Sequence, residues 1–439
     1  MRRPALAVAA VAAAAIPYLY LYASAYAKFF APYRGALIPL GDDYPIHVYF
    51  ALQFCHNPAT VMQGQYPGLL HIAASLPCDM WKTATALSTM AILLIPLAIA
   101  AWGLVYRAVG AGKWAWPLAA LAVLSQPRLL QSVGDGQLPE KYTLLVILPA
   151  AAYLWLRGKR VAAGAVAGLA AWTSYLGATY VALFALATLS PPLIATAAAV
   201  AAAGWPRVQT AFTTAAEAAG GPALIPYMDP IRASFYVYFN PIALPALAAV
   251  AIWLAAKRPR TLPLLATALA LWAAAFALPP LNERLARAAG FLLAASTLAA
   301  AWEKDRRILA ATALLTAAGP IAAGWAWAAA HIAPVPYGEQ LLQYGLFQPA
   351  VRTLPCKLDA YQEIAKEIPR GATVSVAWQL DLWLLPYLYQ TRPDVKVNVV
   401  LCPWDMEGLR VVSGLVPGSW YLPCYSGWPT GPCNVTLAR

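Results

Sequence analysis

Residues 84–106 read ATALSTMAILLIPLAIAAWGLVY, 23 positions without a charge, closed by Arg107. A run of that length spans a ~30 Å hydrocarbon core as a helix. Similar apolar runs recur from Ala5 to Ala333. They predict about eleven spans, at 5–26, 84–106, 115–131, 142–156, 161–176, 178–190, 192–205, 241–256, 262–278, 286–301 and 308–330. The connections around Ser174–Thr179 and Ser190–Pro192 are very short, so full spans and half-helices both remain open there. With 61% apolar and 11% charged residues, most of the 439-residue chain cannot be the two or three soluble domains its length suggests. Met1-Arg2-Arg3 before apolar sequence has the outline of a signal peptide, but no compelling small-residue cleavage site follows. Pro17 and the tyrosines up to Tyr26 favour a retained first span.

Charge sorts the loops. With a cytoplasmic N-terminus, Arg107/Lys113, Arg157/Lys159/Arg160, Lys257/Arg258/Arg260 and Lys304/Arg306/Arg307 all fall on the cytoplasmic side. Asp42, Asp43, Asp79, Asp135, Glu140, Glu217, Asp229 and Glu283 then fall outside, and only Glu303 and Asp305 lie inside. The net charge of +12 is thus largely a topology signal and calls for no nucleic acid. All six cysteines lie on the outer side of this arrangement, as expected of disulfides in an oxidising compartment. Cys55–Cys78 is the natural first bridge; Cys356, Cys402, Cys424 and Cys433 leave three connectivities. A zinc site competes, but the spacings lack C-x-x-C pairs. Asn434-Val435-Thr436 is an N-glycosylation sequon on the same side. The expected architecture is an all-α polytopic membrane domain over 1–335 with an organised first outer loop, 27–83. A small extracytoplasmic α/β domain follows over 336–439. In that tail the pattern predicts a helix over Asp359–Ile368, a strand over Thr373–Trp378, a helix over Leu382–Tyr389 and a strand over Val395–Leu401.

Three polar places stand out. Gly41-Asp42-Asp43-Tyr44-Pro45-Ile46-His47 follows the first span, and carboxylates so near lipid are expensive outside a wet, functional cavity. Pro45–Phe54 is expected to be a short amphipathic helix, with Asp43 and His47 on one face as a general base or as ligands for a divalent ion such as Mg or Mn. The plainer reading is that an aspartate caps the helix. A second short helix is expected over Tyr66–Ala74; His56 and His71 read as structural. The second place is Ser132-Val133-Gly134-Asp135-Gly136-Gln137-Leu138-Pro139-Glu140-Lys141, a Gly-rich turn that lets backbone approach a ligand. Asp135 is its functional candidate and a third potential metal ligand, whereas Glu140 is also explained by the helix dipole. The third is Asn282-Glu283-Arg284-Leu285-Ala286-Arg287, whose arginines share a helix face and suit phosphate, or else snorkel to lipid headgroups. Arg232 and Lys141 are further cationic candidates.

These stretches together resemble the GT-C glycosyltransferases, polytopic enzymes that use polyprenyl-phosphate sugars and include protein mannosyltransferases and oligosaccharyltransferase catalytic subunits. Residues 41–47 followed by Tyr66-Pro67-Gly68-Leu69-Leu70 are similar to that family's first loop, and residues 132–140 to its second acidic motif. The oligosaccharyltransferase WWDYG sequence is echoed only by Trp378 and Asp381, or loosely by Trp404-Asp405-Met406-Glu407-Gly408, which argues against protein N-glycosylation. The resemblance implies inverting sugar transfer on the outer side, with Asp43 or Asp42 as base and Arg284/Arg287 or a divalent ion at the departing phosphate. A non-catalytic scaffold presenting the tail is the alternative. A transporter is less favoured, because almost no charge lies mid-span and no half-to-half symmetry is visible.

Overall fold

A computed structural model of the chain describes residues 2–57, 68–204, 209, 229–332, 355–415, 424, 431 and 433–438. The chain is mostly helical, with a small sheet near its C-terminus. Among the described residues, three helices are long and apolar enough to cross a membrane: Met80–Ala108, Asn282–Lys304 and Leu309–Ala329. A fourth span would be the bent pair Pro230–Tyr238 and Ala243–Ala256, which turns through 103°. Exposed Leu93, Leu97, Ile252, Trp253 and Leu314 give these helices apolar outer faces, as hydrocarbon contact requires.

The other apolar stretches are helical but short or broken. Pro191–Ala202 has 12 residues, or about 18 Å at the helical rise, less than a hydrocarbon core. The stretch expected as one span over 115–131 divides into Ala115–Leu124 and Pro127–Asp135. Pro127 has no N–H to continue the first helix, and its fixed φ starts the second.

The helix Asn282–Lys304 is the axis of the bundle. Nine-tenths of its apolar window is buried (94%), against 39% for Met80–Ala108. Its all-round burial is possible because alanines dominate it and let Leu262–Ala277, Ala243–Ala256 and other helices approach. Its N-terminal turn carries Arg284 and Arg287 into the interior.

The loop 27–83 begins with a hairpin absent from the sequence reading: β1 (Phe30–Tyr33) pairs antiparallel with β2 (Ala36–Pro39). Its turn, Arg34-Gly35, has φ of 48° and 78°, the two positive values of a tight hairpin turn. The helix Tyr44–His56 follows, and the second short helix covers Leu69–Ser75; Tyr66 and Pro67 lie outside the described residues. Cys55 is bridged to Cys78, with Cα atoms 5.6 Å apart.

In the tail, the helix Pro355–Glu367 leads into β3 (Thr373–Ala377), two short helices at Trp378–Asp381 and Leu384–Thr391, and β4 (Lys396–Val400). Two strands not expected from the sequence, β5 (Leu409–Ser413) and β6 (Val435–Ala438), complete the order β4-β3-β5-β6. β3 is parallel to both neighbours, and β6 returns antiparallel. Of the three possible connectivities, the tail forms Cys356–Cys433 and Cys402–Cys424. The tail packs on the first loop: Trp81 stacks on Trp383, and Tyr49 meets Tyr389 edge-on. The Tyr33 hydroxyl donates to Asp359 at 2.7 Å.

Candidate active site

Two glycines lock the acidic segments together. A Cβ on Gly41 would lie 2.0 Å from the Gly134 carbonyl oxygen and 2.8 Å from the Asp135 backbone. A Cβ on Gly136, which has φ +107°, would lie 2.8 Å from the Asp43 Cβ. Only glycine allows such backbone contact on both sides. The Asp43 amide then donates to the Asp135 carbonyl at 2.9 Å, and the Tyr44 hydroxyl to the Val133 carbonyl at 2.7 Å. Segments some ninety residues apart thus form one unit.

Asp43 stands at the start of the helix Tyr44–His56, but its side chain makes no capping hydrogen bond. Asp43 instead lines a cleft together with His47, Gln137, Pro139 and Glu140. Ser174, Tyr175, Leu176 and Arg284 complete its lining. The cleft and the solvent in its mouth together amount to ≈ 350 Å³.

Beneath the cleft lies a buried ionic network. Lys141, fully buried, reaches Glu140 at 2.6 Å, and the Tyr180 hydroxyl donates to the same Glu140 oxygen at 3.1 Å. Burial would raise the Glu140 carboxyl, but Lys141, Arg284 and Arg287 outweigh it and hold the group below its ordinary value. Burial pulls Lys141 down to about 8 against the opposing pull of Glu140. Arg287 ties this layer to the acidic turn. It donates to the Ser132 hydroxyl at 2.7 Å and to the Gln137 amide oxygen at 3.2 Å, and it pairs with Glu283 at 3.4 Å. Arg284 extends to the cleft wall and donates to the Tyr175 hydroxyl at 2.9 Å.

His47 sits on the cleft floor with both ring nitrogens engaged. Nε2 is 2.9 Å from the Gly136 carbonyl and Nδ1 is 2.8 Å from His71 Nε2. A carbonyl only accepts, so Nε2 carries the proton; Nδ1 then accepts from His71. Burial lowers His47 to about 4, a neutral imidazole at ordinary pH. The expected ligand set of Asp43, His47 and Asp135 does not fit a Mg or Mn ion. Binding through His47 would break one of these two bonds, and no group of three or more His, Cys, Asp or Glu residues among those described is placed to hold a metal.

Of the sequence candidates, Asp43, Glu140 and Arg284 meet at the cleft, and Asp135, Lys141 and Arg287 lie against or beneath it. Asp42 is half-buried outside the lining, and Arg232 lies at a second cavity, paired with Asp229 at 3.5 Å. His71 is buried as the partner of His47, and His56 is exposed. Asp381 is fully buried in the tail, where it accepts from Tyr361 and Ser413 at 2.8 Å each. Ser174 and Tyr175 were missed by the sequence reading. Their signal was a helix start, since Ser174 caps the helix Tyr175–Ala187 by accepting from the Gly177 amide. Nothing in the local sequence shows that this start faces Arg284.

No protein-family profile, no curated protein and no solved structure matches the chain.

Proposed function

We propose that the protein is a polytopic membrane glycosyltransferase, taking a sugar from a polyprenyl-phosphate donor and passing it with inversion to a hydroxyl acceptor. The observation that supports this best is that Asp43 and Arg284, a proton acceptor and a cation suited to phosphate, line one cleft. In this reading the eleven apolar segments thread the membrane as spans and half-helices. The N-terminus is cytoplasmic, and the cleft and tail lie outside.

The acceptor oxygen attacks the anomeric carbon from the face opposite the phosphate. As the new C–O bond forms, the bond from the anomeric carbon to the phosphate oxygen breaks, and its electron pair leaves with the polyprenyl phosphate. The hydroxyl proton passes to the Asp43 carboxylate. Arg284, steered by Tyr175, neutralises the departing phosphate, so no strong general acid is needed. Glu140 stays ionised among its cations and serves to hold Lys141 and the arginines in place rather than to take the proton.

Membranes containing the protein, given radiolabelled polyprenyl-phosphate hexoses, should transfer label to an acceptor or release free sugar. Asp43→Asn should lower the rate by ~100-fold or more, as loss of a general base does, and Arg284→Ala should raise the donor concentration required. Full activity in both variants would refute the assignment and favour the scaffold reading, in which the tail is the working part.

A further inference from the structure

A second cavity lies on the other side of the arginine network, at the bend between the helices Pro230–Tyr238 and Ala243–Ala256. With its solvent-open mouth it amounts to ≈ 960 Å³, against ≈ 350 Å³ for the cleft. Its walls are two unlike materials. Ile231, Phe235 and Phe239 recur every fourth residue along one face, and Ile231 and Phe235 are 61% and 47% exposed. The opposite face, Ala233, Ser234, Val237 and Tyr238, is buried in the bundle. Arg128 and Arg232 supply the second material. Arg128 lies 4.4 Å over the Tyr236 ring, which holds its guanidinium at the cavity wall. Arg232, with a side chain 65% exposed, contacts Asp229 at 3.5 Å.

A short helix bent through 103° from the apolar helix Ala243–Ala256, itself apolar on its exposed face and edged by arginine, has the form of a helix in the membrane interface. We infer that this cavity binds an anionic phospholipid, its chain along Ile231, Phe235 and Phe239 and its phosphate between Arg128 and Arg232. The charge decides between lipids. Two guanidiniums suit a phosphate with no cationic partner, whereas a zwitterionic headgroup would set its own cation beside them. The site is separate from the cleft and does not depend on sugar transfer. Its Tyr236 wall bonds Glu283, which pairs with Arg287, so the lipid would sit directly behind the groups that hold the acidic turn.

The test uses the purified full chain in detergent with equimolar phosphatidylglycerol and phosphatidylcholine, and native mass spectrometry to identify retained lipid. Preferential retention of a single phosphatidylglycerol is expected. Arg232→Glu should weaken it by at least ~5-fold, the effect of about one basic side chain near a membrane surface. Ile231→Gln, also at an exposed position, should weaken it through the chain. Equal retention of both lipids, or retention indifferent to both variants, would overturn the assignment. So would displacement by free glycerol phosphate at matching concentration, which would show a site for soluble anions.

Discussion

Replacing Gly136 with alanine tests whether the two acidic segments work as one unit. At φ +107° any L-residue is strained by about 1–2 kcal/mol. The added methyl would also lie 2.8 Å from the Asp43 Cβ, 2.9 Å from the Tyr44 nitrogen and 3.0 Å from the Asp43 carbonyl carbon. Two of these are backbone atoms that cannot swing aside, so overpacking adds about 1–3 kcal/mol. Gly110→Ala is the control: φ is +89° and nothing lies within 4 Å, so it carries the strain without the collision. Thermal unfolding in detergent should place Gly136→Ala below Gly110→Ala by at least ~2 °C, at roughly 2–4 °C per kcal/mol. Hydrogen exchange should speed up locally at the Asp43 amide, whose bond to the Asp135 carbonyl is the one the methyl pushes apart. Equal melting of the two variants with unchanged exchange at Asp43 would refute the interlock, and with it the structural basis for grouping Asp43 with Glu140.

His47 makes the protein sensitive to mild acid. Its folded value of about 4 lies below the unfolded value of 6.5, so the unfolded chain binds the proton more readily between them. The contribution is fully present above 6.5 and is lost as pH falls toward 4, amounting to about 2 kcal/mol between pH 7 and pH 5. His47→Gln should flatten that part of the melting profile, and an unchanged slope would show that other groups set it. Removing the Cys55–Cys78 bridge by double alanine replacement opens a loop of sequence separation 23, worth about 3 kcal/mol of chain entropy. Faster hydrogen exchange across 44–57 is the expected sign, and unaltered exchange would show that packing holds the helix without the bridge.

What the sequence disclosed depended on how local the cause was. The apolar runs are plain because they are written in consecutive residues, but the break at Pro127 is passed over when 115–131 is read as one span. The helix Asn282–Lys304 looked like one span among many, since burial on all sides is a property of its neighbours. The Arg34-Gly35 hairpin was hidden because its short strands lack clean alternation. β5 and β6 were hidden for a different reason: each gains its identity by pairing with a distant segment. Asp43, Asp135 and Arg284 were found by scarcity of charge near lipid. Tyr175, Tyr180 and Tyr236 were not, because in a chain with 23 tyrosines nothing local distinguishes the ones that bond to carboxylates or guanidiniums.

The buried network itself argues for function over stability. Burying Lys141 and Glu140 together, with Arg287 among them, removes three full charges from water. Ion pairs of this kind are commonly matched or exceeded in stability by apolar side chains of similar volume. The surrounding helices have alanine and leucine in abundance, and they fill the rest of the bundle that way. The charged cluster occurs where two glycines bring the acidic turns into backbone contact and where Arg284 reaches the cleft. Each carboxylate in it has two partners: Glu140 meets Lys141 and Tyr180, and Glu283 meets Arg287 and Tyr236. Such a network fixes positions at the expense of stability, and the positions it fixes are those of the acidic turn and of the helix start that carries Arg284.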